Sequence, residues 1–108
     1  MPRTWKRLAG PAQVSNAAAT KYTVPSTTKT IIRHIHVQNP SGSACTFTMS
    51  IGADAAGTRI YDAYSIAAGA TLNDYGPYIV DAAEIVQALA GTNNILTLTI
   101  DGEEITLG

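Results

Sequence analysis

The sequence predicts an all-β fold: a two-sheet antiparallel β-sandwich, Ig-like or jelly-roll in topology, with an extended N-terminal arm. Three observations carry that prediction. Cys45, Phe47, Met49 and Ile51 alternate with the small or polar Ala44, Thr46, Thr48 and Ser50, which is the period-two pattern of a strand with one wet face. Turn-forming clusters such as Asn39-Pro40-Ser41-Gly42-Ser43 and Gly52-Ala53-Asp54-Ala55-Ala56-Gly57 recur between such stretches. At 108 residues the chain is long enough to bury on the order of 60 to 70% of the surface its unfolded form exposes, so a core needs no staples.

Residues 1–19 show neither helical nor strand periodicity and contain Pro2, Pro11 and the lone Trp5, so they read as the arm, with the sandwich domain over 20–108. Lys21 to Val24 is a short strand stopped by Pro25. A loop at Ser26-Thr27-Thr28 leads into a strand from Thr30 to Gln38, in which Ile31, Arg33, Ile35 and Val37 are the expected inner set and Ile32, His34, His36 and Gln38 the outer one. Ala44 to Ile51 is its expected antiparallel neighbour, followed by a strand from Arg59 to Ile66. Ala67-Ala68-Gly69 turns the chain into Thr71 to Tyr78, an edge strand interrupted by Gly76-Pro77. The segment DAAEIVQALAG reads as helix by propensity, but its length and the hairpin rhythm around it favour a strand from Glu84 to Leu89. Asn94 to Ile100 and Glu104 to Leu107 then flank Asp101-Gly102-Glu103 as a hairpin, with Leu96, Leu98 and Ile100 facing in.

Only 14% of residues are charged and the net charge is −1, a surface with weak self-repulsion that suits an assembly. The charges are polarised along the chain: Arg3, Lys6 and Arg7 at the start, Asp101, Glu103 and Glu104 near the end. Such ends are able to attract those of neighbouring copies. The single Cys45 cannot form an internal disulfide and falls in the dry phase of its strand. No apolar run of signal-peptide length follows the first charges, and no segment approaches the ~20 apolar residues of a membrane span. The expectation is a protein made in a cytoplasm, with no membrane partner.

Reactive chemistry is sparse. His34 and His36 share one face of a strand about 7 Å apart, but a catalytic zinc site usually takes three protein ligands, and the third would have to be Asp62 or Glu84. They are expected instead on the side facing solvent or a neighbour, where their titration would make assembly acid-sensitive. No serine sits in a Gly-x-Ser-x-Gly elbow, no glycine-rich phosphate loop precedes a helix, and Asp62, Asp74, Asp81 and Glu84 are ordinary turn acids. No enzyme activity, cofactor or metal is expected. PRTWKR joins cations to an indole, yet a neutral to acidic body leaves only about three phosphates to neutralise, so nucleic acid is not an expected partner. Trp5 reads as an anchor for a neighbour's pocket. Tyr61 and Tyr64, three apart, are expected on opposite faces, as are Tyr75 and Tyr78, which weakens a sugar-stacking platform.

The runs RLAGPAQ, TKYTVP, IIRHIHVQNPSGSACTFTMSIGADAAGTRIYDAYSI and EIVQALAGTNNILTLTIDGEEITLG resemble small virion proteins encoded among the structural genes of tailed bacteriophages. The resemblance spans nearly the whole chain, and RHIHVQNPSGSACTFTMSIGAD is its most specific part. It implies a non-enzymatic, multi-copy virion structural protein of the minor tail, neck or head-decoration type. Its partners would be copies of itself, in a homo-oligomer, and other virion proteins. Arg3, Trp5, Lys6 and Arg7 are the expected arm contact, with His34, His36, Asp101, Glu103 and Glu104 as further interface candidates. The alternatives are a capsid decoration protein and a recognition module that binds host glycans.

Overall fold

A computed structural model describes residues 3–107 and contains strands but no helix among them. In chain order the strands are β1 (Arg3–Gln13), β2 (Ala19–Thr23), β3 (Thr28–Gln38), β4 (Cys45–Ile51), β5 (Arg59–Ile66), β6 (Thr71–Asp74), β7 (Tyr78–Val80), β8 (Ile85–Ala90) and β9 (Thr97–Thr106). One sheet has the order β1-β9-β3-β6, with β7 also pairing with β3, and the other has the order β2-β8-β4-β5. All these strand pairs are antiparallel. The pairs nest: β4 with β5, β3 with β6 and β7, β2 with β8, β1 with β9. A long hairpin so nested, then rolled until β9 meets β3 and β8 meets β4, is a jelly roll, which decides between the two topologies.

The inner faces of the two sheets supply the core. Phe47 and Met49 from β4 pack with Ile32, Ile35 and Val37 of β3 and Leu98 and Ile100 of β9, all fully or almost fully buried. Burying each such side chain contributes roughly 1.5 to 3 kcal/mol, so these strands form the centre of the core. Cys45 is buried, in the dry phase as the alternation requires. The ambiguous DAAEIVQALAG segment contains strand β8, whose Val86, Ala88 and Ala90 alternate into the core.

Tyrosines close both open edges of the sandwich. From β2, the Tyr22 hydroxyl donates to Glu104 of β9 and lies 2.8 Å from the Thr30 hydroxyl of β3. From β5, the Tyr61 hydroxyl donates to Asp74 Oδ2 of β6 at 2.5 Å. Asp74 also accepts from Tyr78 at 2.6 Å and from the Gly76 N–H at 2.9 Å. Burial pushes the Asp74 carboxyl up, but these hydrogen bonds outweigh it and hold the group below its ordinary value. Burial and the Glu104 carboxylate push the Tyr22 hydroxyl up to about 12.

Four expectations are corrected. Residues 3–13 are an edge strand of their own domain, with Arg3 to Arg7 in continuous register against Ile105 to Asp101; an arm reaching away from the sandwich is not what they form. The reason is charge and backbone pairing: the cations of β1 lie along the acids of β9. Asp101-Gly102-Glu103 is the middle of β9 and turns nothing, because the residues on either side pair with β1 and β3 and not with each other. A Cβ on Gly102 would stand 2.1 Å from the Ile31 carbonyl oxygen, so its glycine marks a close backbone approach. In β3 a bulge at Arg33 shifts the register between Ile32 and His34, so Thr30 and Ile32 face inward in place of Ile31 and Arg33, while Ile35 and Val37 remain inside. In β5 a bulge with Ala63 at φ 52° puts Tyr61 and Tyr64 on one face, their rings 5.5 Å apart, where strict alternation had placed them on opposite faces.

Candidate functional site

The cations gather on one sheet. Arg3, Lys6 and Arg7 lie on β1 and Lys29 and Arg33 on β3, five of the seven Lys and Arg residues of the chain. Residues directly opposite each other on neighbouring strands share a face, so the register lists what the outer surface of the five-stranded sheet displays. One row runs Trp5, Glu103, Ile31, Ile79 across β1, β9, β3 and β7. A second runs Arg7, Asp101, His34, and a third pairs Thr99, His36 and Asn73. The bulge adds Arg33 to the same face.

Glu103 is the fixed point of this surface. Its side chain is 2% exposed and both oxygens are held by arginines: Oε1 accepts from Arg3 at 2.6 and 3.0 Å, and Oε2 from Arg33 at 2.9 and 3.0 Å. Burial alone would push this carboxyl up, but the hydrogen bonds from Arg33 and Arg3 outweigh it and keep the group ionised below the ordinary carboxylate range. Held in this way, Arg33 places its guanidinium 6.0 Å from the centroid of the Trp5 ring. Trp5 itself is 70% exposed. A large apolar ring is therefore presented to solvent on a strand whose neighbours are locked by ion pairs.

Further along the face, Tyr75 is 69% exposed and stacks flat on His34, with ring centroids 4.6 Å apart and planes within 2°. His34 Nε2 lies 3.0 Å from Asn73 Oδ1, and the His36 ring is 6.0 Å from that of His34. Ile79, beyond Ile31, is 59% exposed. Exposed tryptophan, tyrosine and isoleucine beside anchored arginines have the composition of protein-interface hot spots.

The sequence-derived candidates divide over this geometry. Arg3, Trp5, Arg7, His34, His36, Asp101 and Glu103 all share the outer face. Lys6 and Glu104 do not: they belong to the alternate rows, and Lys6 Nζ meets Glu104 Oε1 at 3.3 Å on the side where Tyr22 reaches the same carboxylate. The opposite charges of the two chain ends thus meet within one molecule. Arg33, Tyr75 and Ile79 belong to the surface and were not among the candidates. Arg33 carried a signal, since an arginine is almost never buried without a partner and its place in the inward phase puts that phase in conflict with its charge. The placement of Tyr75 and Ile79 depends on the break at Gly76-Pro77, which has no periodicity to read.

Among the described residues no group of three or more His, Cys, Asp or Glu is arranged to hold a metal, and no enclosed pocket is found. No helix there is long and apolar enough to cross a membrane. Compared with known proteins, the chain matches no family model, no curated protein and no solved structure.

Proposed function

We propose that the chain is a non-enzymatic structural protein of a tailed-bacteriophage virion, a multi-copy component of the tail or neck that docks through the outer face of its five-stranded sheet. The observation that carries this reading is Trp5, 70% exposed on a strand pinned to its neighbour through Arg3 and Glu103 and flanked by Arg33. An aromatic anchor presented on a rigid strand loses little conformational freedom when it enters a partner's pocket. The low charge density removes most repulsion between copies. The resemblance in the sequence supplies the virion setting, and jelly rolls occur in virion proteins as well as in lectins, which is support by analogy of fold only.

Sedimentation mass tests it. The full chain is expected to exceed 11.3 kDa at micromolar concentration and above, or to bind other particle proteins. Trp5→Ala is expected to weaken that association at least about 30-fold, the effect of losing roughly 2 kcal/mol at a hot spot, while leaving thermal stability within about 0.5 kcal/mol. Thr23→Ala, on an exposed position of the other sheet, is expected to change neither. Association unaffected by Trp5→Ala would refute the docking face.

A second reading, a host-glycan recognition module, rests on Tyr75, whose ring lies flat and open against His34 as a sugar-stacking ring would. Sugar binding by the full chain that is lost in Tyr75→Ala would favour it over assembly.

A further inference from the structure

We infer that β1 is an exchangeable strand: in the assembled state the segment Arg3–Arg7 of one copy pairs with β9 of a second copy, replacing that copy's own β1. The inference rests on the assembly reading and names its partner, a second copy of this chain. Three observations carry it.

The seam between β1 and β9 is matched by charge. Arg3 meets Glu103, Lys6 meets Glu104, and Arg7 stands in register with Asp101. Any copy of β1 carries the same cations and any β9 the same acids, so a seam made between molecules repeats every contact of the seam made within one. Pairing the free edges of two β1 strands is the competing route to a dimer. It would set Arg3, Lys6 and Arg7 of one copy along those of the other, like charges facing each other with their acid partners on the far side, in β9.

The core holds little of the strand, so what fastens it is the seam with β9, which exchange reproduces. Leu8 is its only buried side chain, and Arg3 to Arg7 are all exposed. Most of the core remains in place without it, since Ile32, Ile35, Phe47, Met49, Leu98 and Ile100 lie on other strands. If β1 lifts, β9 becomes a sheet edge with a vacant ladder and Glu103 loses Arg3. An acid-lined open edge of that kind takes up a cationic strand from whichever molecule offers one.

The strand also has a place to bend. Its register with β9 is unbroken from Arg3 to Arg7, then slips between Arg7 and Ala9 and again between Ala9 and Ala12. Gly10, at φ 75°, lies inside the second slip, and a Cβ there would stand 2.0 Å from the Leu98 carbonyl oxygen. Beyond it, Val14 is fully buried and its N–H donates to the Leu96 carbonyl at 2.9 Å, so the chain is anchored from that point on. The first strand is thus a straight cationic segment, a hinge and a fixed root. Exchange around a two-fold axis closes a dimer, and exchange from each copy to the next builds a ring or a filament.

The test uses the full chain with one added cysteine per molecule, Cys45 being buried. Arg7→Cys and Asp101→Cys are made in separate chains of different tagged mass, co-refolded from denaturant and oxidised mildly. Residues 7 and 101 stand opposite each other, so a mixed disulfide forms where β1 of one molecule lies on β9 of another, and its excess over the like pairs separates this from contact between two outer faces. The expected result is a mixed dimer whose yield rises with protein concentration and exceeds that of either like pair. The double variant in one chain shows that the bond can form. A double variant that closes only on itself, with no mixed dimer from the single variants at any concentration, would overturn the exchange. So would absence of both products, because residues 7 and 101 would then not face each other at all. Oligomers by sedimentation without the mixed disulfide would leave the docking reading standing and remove the exchange alone.

Discussion

Asp74 ties the two sheets together at the edge formed by β5 and β6, and its removal has a calculable effect. The carboxylate accepts three hydrogen bonds, from Tyr61 across the sandwich, from Tyr78 and from the Gly76 N–H. Asp74→Ala leaves all three donors without that acceptor. At about 1 kcal/mol each, a value reduced from the charged-acceptor range because water reaches these half-buried groups, the loss is about 3 kcal/mol. For a domain of this size that lowers the melting temperature by roughly 12 to 20 °C. Tyr61→Phe removes one bond and leaves Asp74 two partners, so it is expected to cost about 1 kcal/mol. Adding Tyr61→Phe and Tyr78→Phe to Asp74→Ala removes the orphaned hydroxyls, and the triple variant is expected to lose less than the sum of its parts. The assay is thermal and urea unfolding followed by circular dichroism at pH 7. Because the Asp74 carboxyl is held below its ordinary value, the unfolded chain binds its proton first as pH falls. Its contribution is present above about pH 4 and is lost as pH drops through the folded value, so the gap between wild type and Asp74→Ala is expected to close in acid. An Asp74→Ala loss under about 0.5 kcal/mol at pH 7, or a gap that widens in acid, would refute this reasoning.

Three further outcomes follow from the same geometry. Gly102→Ala forces a Cβ against the Ile31 carbonyl and is expected to cost about 2 kcal/mol or more in a urea titration, whereas a turn glycine without such a neighbour would tolerate alanine better. The Tyr22 hydroxyl, pushed up to about 12, keeps its proton in the folded state after the unfolded chain has released it, so stability is expected to fall between about pH 10 and 12. Tyr22→Phe is expected to flatten that alkaline limb in melts taken across the range. Glu103 is held low by Arg33 and Arg3 against its own burial, so its contribution is present at neutral pH and lost in acid; Glu103→Gln is expected to lower the melting temperature at pH 7 and to shrink the difference toward pH 3.

Wherever a strand kept an unbroken period of two, its placement was legible in the sequence. Cys45, Phe47 and Met49 point inward as their alternation requires, as do Leu98 and Ile100, while Arg59–Ile66 has its expected bounds but not its expected facing. What escaped were the irregularities, each a single residue that resets the period. Arg33 reverses which half of β3 faces the core, and the bulge at Ala63 brings Tyr61 and Tyr64 onto one side. Gly102 has the local chemistry of a turn, and only the presence of strands on both sides of β9 makes it a strand residue. The strand character of Arg3–Gln13 is likewise not written in its own sequence, since it comes from pairing with β9 at the other end of the chain. The candidate surface was half legible for the same reason: its residue types stood out, but which of them share a face depends on register.

Side-chain exposure in the assembled state bears most directly on the claim that this protein docks through the outer face of its five-stranded sheet. Hydroxyl-radical footprinting of the full chain, dilute and concentrated or with particle proteins, reads Trp5, Tyr75 and Tyr64 separately. Trp5 and Tyr75 are expected to lose reactivity on assembly, while Tyr64, 48% exposed at the edge of the other sheet, keeps it. Undiminished oxidation of Trp5 in the assembled protein, or protection confined to Tyr64, would contradict the claim.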